Sequence, residues 1–174
     1  DGIDDLITRG RNSVYFPSSY ASGISYDSPR YSFFSWAASV DAGTDGFQKP
    51  FYEFSFEPQL QLSEQINIAI EMEYENSQSW VIHLENNDIG EFRKKELSTT
   101  LDISAHFGTK HQLSIKLQSV LLEAKARRAY VATGRGELSF GKDLFESFEV
   151  SELAFQARYR YELGPLSEVF LVYS

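Results

Sequence analysis

Apolar and polar positions alternate from Tyr52 to Leu62: Tyr52, Phe54, Phe56, Pro58, Leu60 and Leu62 against Glu53, Ser55, Glu57, Gln59 and Gln61. After Ser63-Glu64-Gln65 the pattern resumes as Ile66, Ile68, Ile70, Met72 and Tyr74 against Asn67, Ala69, Glu71, Glu73 and Glu75. A period of two over about ten residues predicts a strand with one apolar and one wet face. The three-residue break between the runs predicts a hairpin. The same pattern recurs at Phe34 to Asp41, Leu97 to Phe107, Leu113 to Gln118 and Leu153 to Leu163, and no stretch reads as a long amphipathic helix. With 20–26 as a weak first strand after a loosely structured start over 1–30, about eight strands are expected in one domain spanning 1–174. The class is all-β and antiparallel.

Two architectures accommodate such strands, a soluble sandwich and a membrane barrel. The runs of about 10–12 residues exceed the usual globular strand and approach a tilted bilayer crossing. Residues 63–65, 108–111 and 164–167 read as tight turns, whereas 76–95 and 123–152 read as long polar loops, and this asymmetry is the pattern of outer-membrane barrels. Aromatic residues gather at strand ends (Tyr31, Phe33, Tyr52, Tyr74, Phe107, Tyr173), where interfacial girdles lie. Trp36 and Trp80 are read as interface anchors in preference to sugar-stacking platforms. A transmembrane β-barrel, a meander of long hairpins, is therefore preferred. The last strand would end on the long-loop side, so the segment is read as the C-terminal part of a larger barrel, completed by the rest of the protein or by a partner chain.

Composition narrows the classes further. The 174 residues carry 16 Lys and Arg against 25 Asp and Glu, a net charge of −9, so the basic footprint of a nucleic-acid binder is missing. Cys is absent, which removes disulfides, thiolate metal sites and cysteine nucleophiles. The 14 Phe, 10 Tyr and 2 Trp do not fit a disordered acidic chain. No run of 18 apolar residues marks a transmembrane helix. The opening Asp1-Gly2-Ile3-Asp4-Asp5 lacks a basic then apolar leader pattern, so a processed or internal segment is expected.

Several stretches resemble a known family. They are Phe92-Arg93-Lys94-Lys95-Glu96-Leu97, Lys110-His111-Gln112-Leu113-Ser114-Ile115-Lys116-Leu117-Gln118, Ala126-Arg127-Arg128-Ala129-Tyr130, and above all Phe155-Gln156-Ala157-Arg158-Tyr159-Arg160-Tyr161-Glu162-Leu163-Gly164-Pro165-Leu166-Ser167, followed by Val169-Phe170-Leu171-Val172-Tyr173-Ser174. Residues 91–174 carry the likeness; Asp5 to Asn12 and Trp80 to Gly90 are similar in layout. The family comprises large Gram-negative outer-membrane proteins that end in a β-barrel domain of unknown function, often preceded by a family-nine-like carbohydrate-binding module. The resemblance implies a cell outer-membrane location and a chain that continues beyond the Val-Tyr-Ser strand. Two departures stand out. Ser119 occupies a position where an aromatic is expected, and the carbohydrate-binding module lies outside these residues. Some members are described as membrane-associated hydrolases, but the likeness transfers no catalytic residue.

Candidate chemistry concentrates on the wet face. A hairpin closed around 63–65 sets Glu57 opposite Glu71 and Glu53 opposite Glu75, with Glu73 between. Like charges directly opposite destabilise a strand pair, so a bound cation such as Ca²⁺, cross-lumen pairing with Lys116, Arg158 or Arg160, or solvation in a wide lumen must compensate. These eight residues are the lumen-facing candidates. Arg158 and Arg160 also raise the prospect of an anion-selecting strip, with charge balance of the glutamates as the plainer reading. Lys125, Arg127 and Arg128 form a basic cluster able to meet lipopolysaccharide phosphates or simply water. His83, His106 and His111 lack metal-site spacing, no Gly-x-Ser-x-Gly elbow occurs, and Gly134-Arg135-Gly136 is too short for a phosphate loop. No catalytic residue, metal site or cofactor is assigned. The expected function is a polar-lumened barrel that anchors the protein in outer-membrane lipid or passes a solute such as a saccharide, without a nucleic-acid partner. Its alternatives are a glycan-directed hydrolase with its active site outside this segment, and a soluble glycan-binding sandwich.

Overall fold

The computed structural model describes residues 2–4, 7, 8, 10, 12–134, 136–141, 145–165 and 167–174. Asp1, Asp5, Arg135 and Leu166, which entered the sequence reading, lie outside that set. The described elements are β1 (Gly2–Asp4), β2 (Val14–Phe16), β3 (Ala21–Asp27), β4 (Phe34–Asp45), β5 (Lys49–Gln61), β6 (Ile66–His83), β7 (Asp88–Phe107), β8 (His111–Gly134), β9 (Glu137–Phe140), β10 (Phe148–Gly164) and β11 (Ser167–Tyr173). No helix occurs among the described residues, and none is long and apolar enough to cross a membrane, which says nothing of crossing by strands.

One antiparallel sheet of nine strands runs β11-β10-β8-β7-β6-β5-β4-β3, with β9 on the far end of β8. The sheet does not close: β3 and β11 are its edges and do not pair with each other. The alternation below is what builds it. Val40 pairs with Phe54, Phe54 with Tyr74, Tyr74 with Leu97 and Leu97 with Leu121, so one apolar row crosses five strands. Leu60, Ile68, Ile103 and Ile115 form a second row in the same way.

The stretches 76–95 and 123–152, read above as long loops, are largely strand. β6 and β7 run on until only residues 84–87 connect them, and β8 reaches Gly134 before β9 folds back on it. Their periodicity is hidden because both faces turn polar or aromatic there. Two register shifts, between Ser77 and Trp80 and between Glu91 and Phe92, also change which parity faces which side. The tight connections at 62–65 and 108–110 share one end of the sheet with the paired ends of β10 and β11, Gly164 and Ser167, here the lower end; the overhanging strands form the upper end.

Burial is inverted relative to a soluble sheet. The buried apolar side chains are Val14, Ile89, Phe92, Ala105, Ala124 and Ala132, and all but Ala105 lie in the overhang or in β2 packed against it. By contrast, 23 large hydrophobic residues are exposed among those described. They include Val40, Tyr52, Phe54, Leu97, Leu121, Leu153 and Phe155 on the face that periodicity marks as apolar. No second layer covers that face among the described residues.

Candidate functional site

The opposite face carries the polar side chains, and the register arranges them in rows. Asp41 pairs with Glu53, Glu53 with Glu75 and Glu75 with Glu96, so four carboxylates lie in line across β4 to β7. One position lower, Glu73 sits opposite Ser55 and Ser98. The pairs Phe56–Met72 and Gln59–Ala69 bracket Glu57 and set it level with Glu71. The acidic first hairpin thus has the geometry that its turn dictates.

Its counter-charge comes from a residue that the sequence pattern did not single out. Lys94 Nζ lies 2.5 Å from Glu75 Oε2 and 3.1 Å from Glu96 Oε2, and 5.5 Å above the centre of the Trp80 ring. The ammonium is buried. Burial works against its charge, but the hydrogen bonds and attraction of Glu75 and Glu96 outweigh that and hold the Lys94 pKa above its ordinary value. The signal lay in spacing: Lys94 and Glu96 continue the polar parity of Ser98 and Thr100, but that stretch was read as loop.

Above Lys94 the polar face becomes aromatic. Phe92 packs against Trp80, Phe145 and Phe148 with ring centroids 4.8–6.1 Å apart. Trp80 is therefore a member of this packed cluster and not an interface anchor on the apolar face. Trp36 does lie on the apolar face, opposite Pro58 and beside Tyr26 and Phe56. At the rim, Ser77 donates to Asp45 Oδ2 at 2.7 Å, and Ser79 Oγ accepts from Phe47 N–H. Burial pushes the Asp45 carboxyl above its ordinary value, with the Ser77 hydrogen bond partly opposing it.

Lys116, Arg158 and Arg160 occupy the same face, but not beside the glutamates. Lys116 lies 3.9 Å from Asp102, both side chains half exposed, a contact of little energetic weight. Arg160 reaches Glu168 at 3.5 Å, and Arg158 stacks over Phe170 at 4.6 Å. The expected pairing of these cations with Glu53, Glu57, Glu71, Glu73 and Glu75 is absent from the open sheet, because β7 separates the β6 acids from Lys116 on β8, and β7 and β8 separate them from Arg158 and Arg160 on β10. All eight candidates share one face, and the structure divides them into an acidic wall on β5 and β6 and a basic one on β8 and β10. Among the described residues no group of three or more acidic or histidine side chains is placed to hold a metal ion. His111 is engaged otherwise, 2.5 Å from the Tyr159 hydroxyl and stacked on Tyr161.

Fold and face together define a class: an antiparallel β-sheet protein with one exposed apolar face and one charged face. Residues 7–174 match the family described as a domain of unknown function (DUF5916), and the chain belongs to that family. No curated protein and no solved structure matches the chain.

Proposed function

We propose that this sheet is part of the wall of a transmembrane β-barrel in a Gram-negative outer membrane. Its charged face lines a polar lumen, and the barrel anchors the protein or passes a polar solute such as a saccharide. The observation that carries the reading is the exposed apolar band. Contiguous apolar surface of this extent is rare on a soluble monomer, and here it is bounded at both ends by interfacial chemistry. On β7 it runs from Leu97 to Phe107 and on β8 from His111 to Leu121. Roughly ten steps of about 3.3 Å each, tilted by about 40°, give about 25 Å, the height of the apolar belt of such barrels.

At the upper edge, Tyr52 and Tyr74 lean together with centroids 6.1 Å apart, and the Asn76 amide donates to both hydroxyls. At the lower edge stand Phe107, Tyr159 and Tyr161. Amphipathic rings at both limits of an apolar band suit the two membrane–water interfaces. The two edge strands, with their unpaired backbone groups, leave room for further strands to close the barrel.

The test is membrane fractionation of the full-length protein, read by gel mobility before and after boiling. A detergent-requiring band that shifts on boiling is the expected result; a band that is soluble without detergent and does not shift overturns the barrel reading. Liposome swelling with oligosaccharides then separates the two roles, since flux supports passage and its absence leaves an anchor.

A further inference from the structure

Directly above the band, on the same face, the sheet turns from apolar to basic within one step of the pleat. β7 presents Leu97, Lys95 and Arg93 there, and β8 presents Leu121, Glu123 and Lys125. Arg93 stands opposite Lys125, and Lys95 opposite Glu123. Two cations directly opposite destabilise a strand pair unless an anion joins them. Glu123 neutralises Lys125 at 2.7 Å but forms no ion pair with Arg93 or Lys95, so these two lack a contact anion. That hydrogen bond, with the attraction of Lys125, Lys95 and Arg93 behind it, holds the Glu123 carboxyl below its usual range. Arg93 and Lys95 make no hydrogen bond or ion pair with a described residue, and the Arg93 Nε is shielded from solvent without a partner.

Two adjoining depressions lead from below to Lys95, the lowest of these cations. One, of about 400 Å³, is lined by Phe54, Phe56, Met72, Tyr74 and Leu97, with Glu73 at its margin. The next, of about 340 Å³, runs from Tyr74, Leu97 and Leu121 up to Lys95, with Glu123 and Glu149 on its far side. A groove that is apolar below and ends at Lys95, with Arg93 one step of the pleat above, has the shape and charge of a site for an anionic amphiphile.

We propose that Arg93, Lys95 and Lys125 bind the phosphorylated headgroup of an outer-leaflet lipid, whose acyl chains lie in the groove below. The proposal rests on the membrane reading and adds a specific lipid partner to it. Phosphate oxygens accept from the guanidinium of Arg93 and the ammonium of Lys95, relieving the Arg93–Lys125 repulsion. The full-length protein is reconstituted into vesicles of phosphatidylcholine, with or without a minor fraction of bisphosphorylated lipid A. Flotation reports insertion, and native mass spectrometry of the re-extracted protein counts retained lipid. Wild type is expected to retain lipid A over phosphatidylcholine. The variant Arg93→Gln, Lys95→Gln, Lys125→Gln should retain several-fold less, while Arg158→Gln, Arg160→Gln on the other face retains as much as wild type. If the triple variant does not fold, Lys95→Glu alone is read the same way.

Retention equal to wild type by the Arg93, Lys95 and Lys125 variants overturns the proposal, as does displacement of the lipid by inorganic phosphate alone, which would mark a free-phosphate site. Insertion into both vesicles without preference for lipid A overturns this inference and spares the barrel. Failure to insert into either overturns both.

Discussion

Lys94 is the residue on which the charged face turns. Its side chain is 10% exposed and holds two carboxylates that would otherwise repel each other across β6 and β7. Removing one partner of a buried ion pair leaves the other uncompensated. Because Glu75 and Glu96 are about a quarter exposed, Lys94→Ala should cost about 3 kcal/mol at pH 7, the lower end of the range for such losses. The folded pKa of Lys94 lies above its ordinary 10.5, so its contribution is complete below that value and is lost only as pH rises through the folded one. Urea unfolding of wild type and variant should therefore give a constant gap from pH 6 to 9. A gap that falls away within that range contradicts the assignment.

Asp45 is shifted in the same direction, but there folding favours the neutral form. Its carboxyl is raised above the ordinary 3.8, so the folded state favours the protonated form. That contribution is present at low pH and is lost as pH rises through the folded value. Asp45→Asn keeps an acceptor for Ser77 without a charge to desolvate. It should unfold no earlier than wild type at pH 7, and its advantage should fade on acidification. A marked loss of stability at pH 7 would show that the charge itself is needed.

At the scale of the element, the turn between β4 and β5 depends on one glycine. Gly46 has φ +48°, and a Cβ there would lie 2.0 Å from the Ser79 carbonyl oxygen. Gly46→Ala should cost about 1–2 kcal/mol from the left-handed backbone and more from the clash, measured as a lowered midpoint of thermal unfolding. An unchanged midpoint would show that the hairpin tip moves freely away from β6.

Strand faces give a sharper contrast. Ile103 and Ser104 are neighbours on opposite faces of β7, Ile103 in the row with Ile68 and Ile115 and Ser104 in the row with Asn67 and Ser114. If the apolar face meets lipid, Ile103→Arg should cost about 2–4 kcal/mol near the bilayer midplane, whereas Ser104→Arg should cost little. Equal yields of membrane-inserted protein for the two variants would contradict that orientation.

These faces were legible in the sequence wherever the two sides of a strand meet different surroundings, from Tyr52 to Tyr74 and from Leu97 to Leu117. The upper halves of β6, β7 and β8 were not. There Lys94, Trp80 and Phe92 share a face with carboxylates, so hydrophobicity no longer reports which way a side chain points. The bulges beside Ser77 and Glu91 then shift the parity. The register around Ser63-Glu64-Gln65 followed from turn length alone, which is why Glu53 stands opposite Glu75. Long-range charge balance has no such local signature, and the pairing partner of Glu75 was sought on β8 and β10 when it lay on the neighbouring strand.

At the scale of the whole molecule, apolar surface faces outward over the band and inward only in the overhang. Water alone does not explain this distribution, because burial of apolar area is the main favourable term in folding and an uncovered sheet face forgoes it. The face needs a cover, either a lipid bilayer or another protein surface. The two tryptophans distinguish these directly: Trp36 lies within the band opposite Pro58, and Trp80 lies above it in the aromatic cluster with Phe92. The decisive measurement is fluorescence quenching by acyl-chain-brominated lipid in reconstituted vesicles, using Trp80→Phe to report on Trp36 and Trp36→Phe to report on Trp80. Strong quenching of Trp36 with little effect on Trp80 is expected, and equal, weak quenching of both would contradict the claim that the apolar band faces lipid.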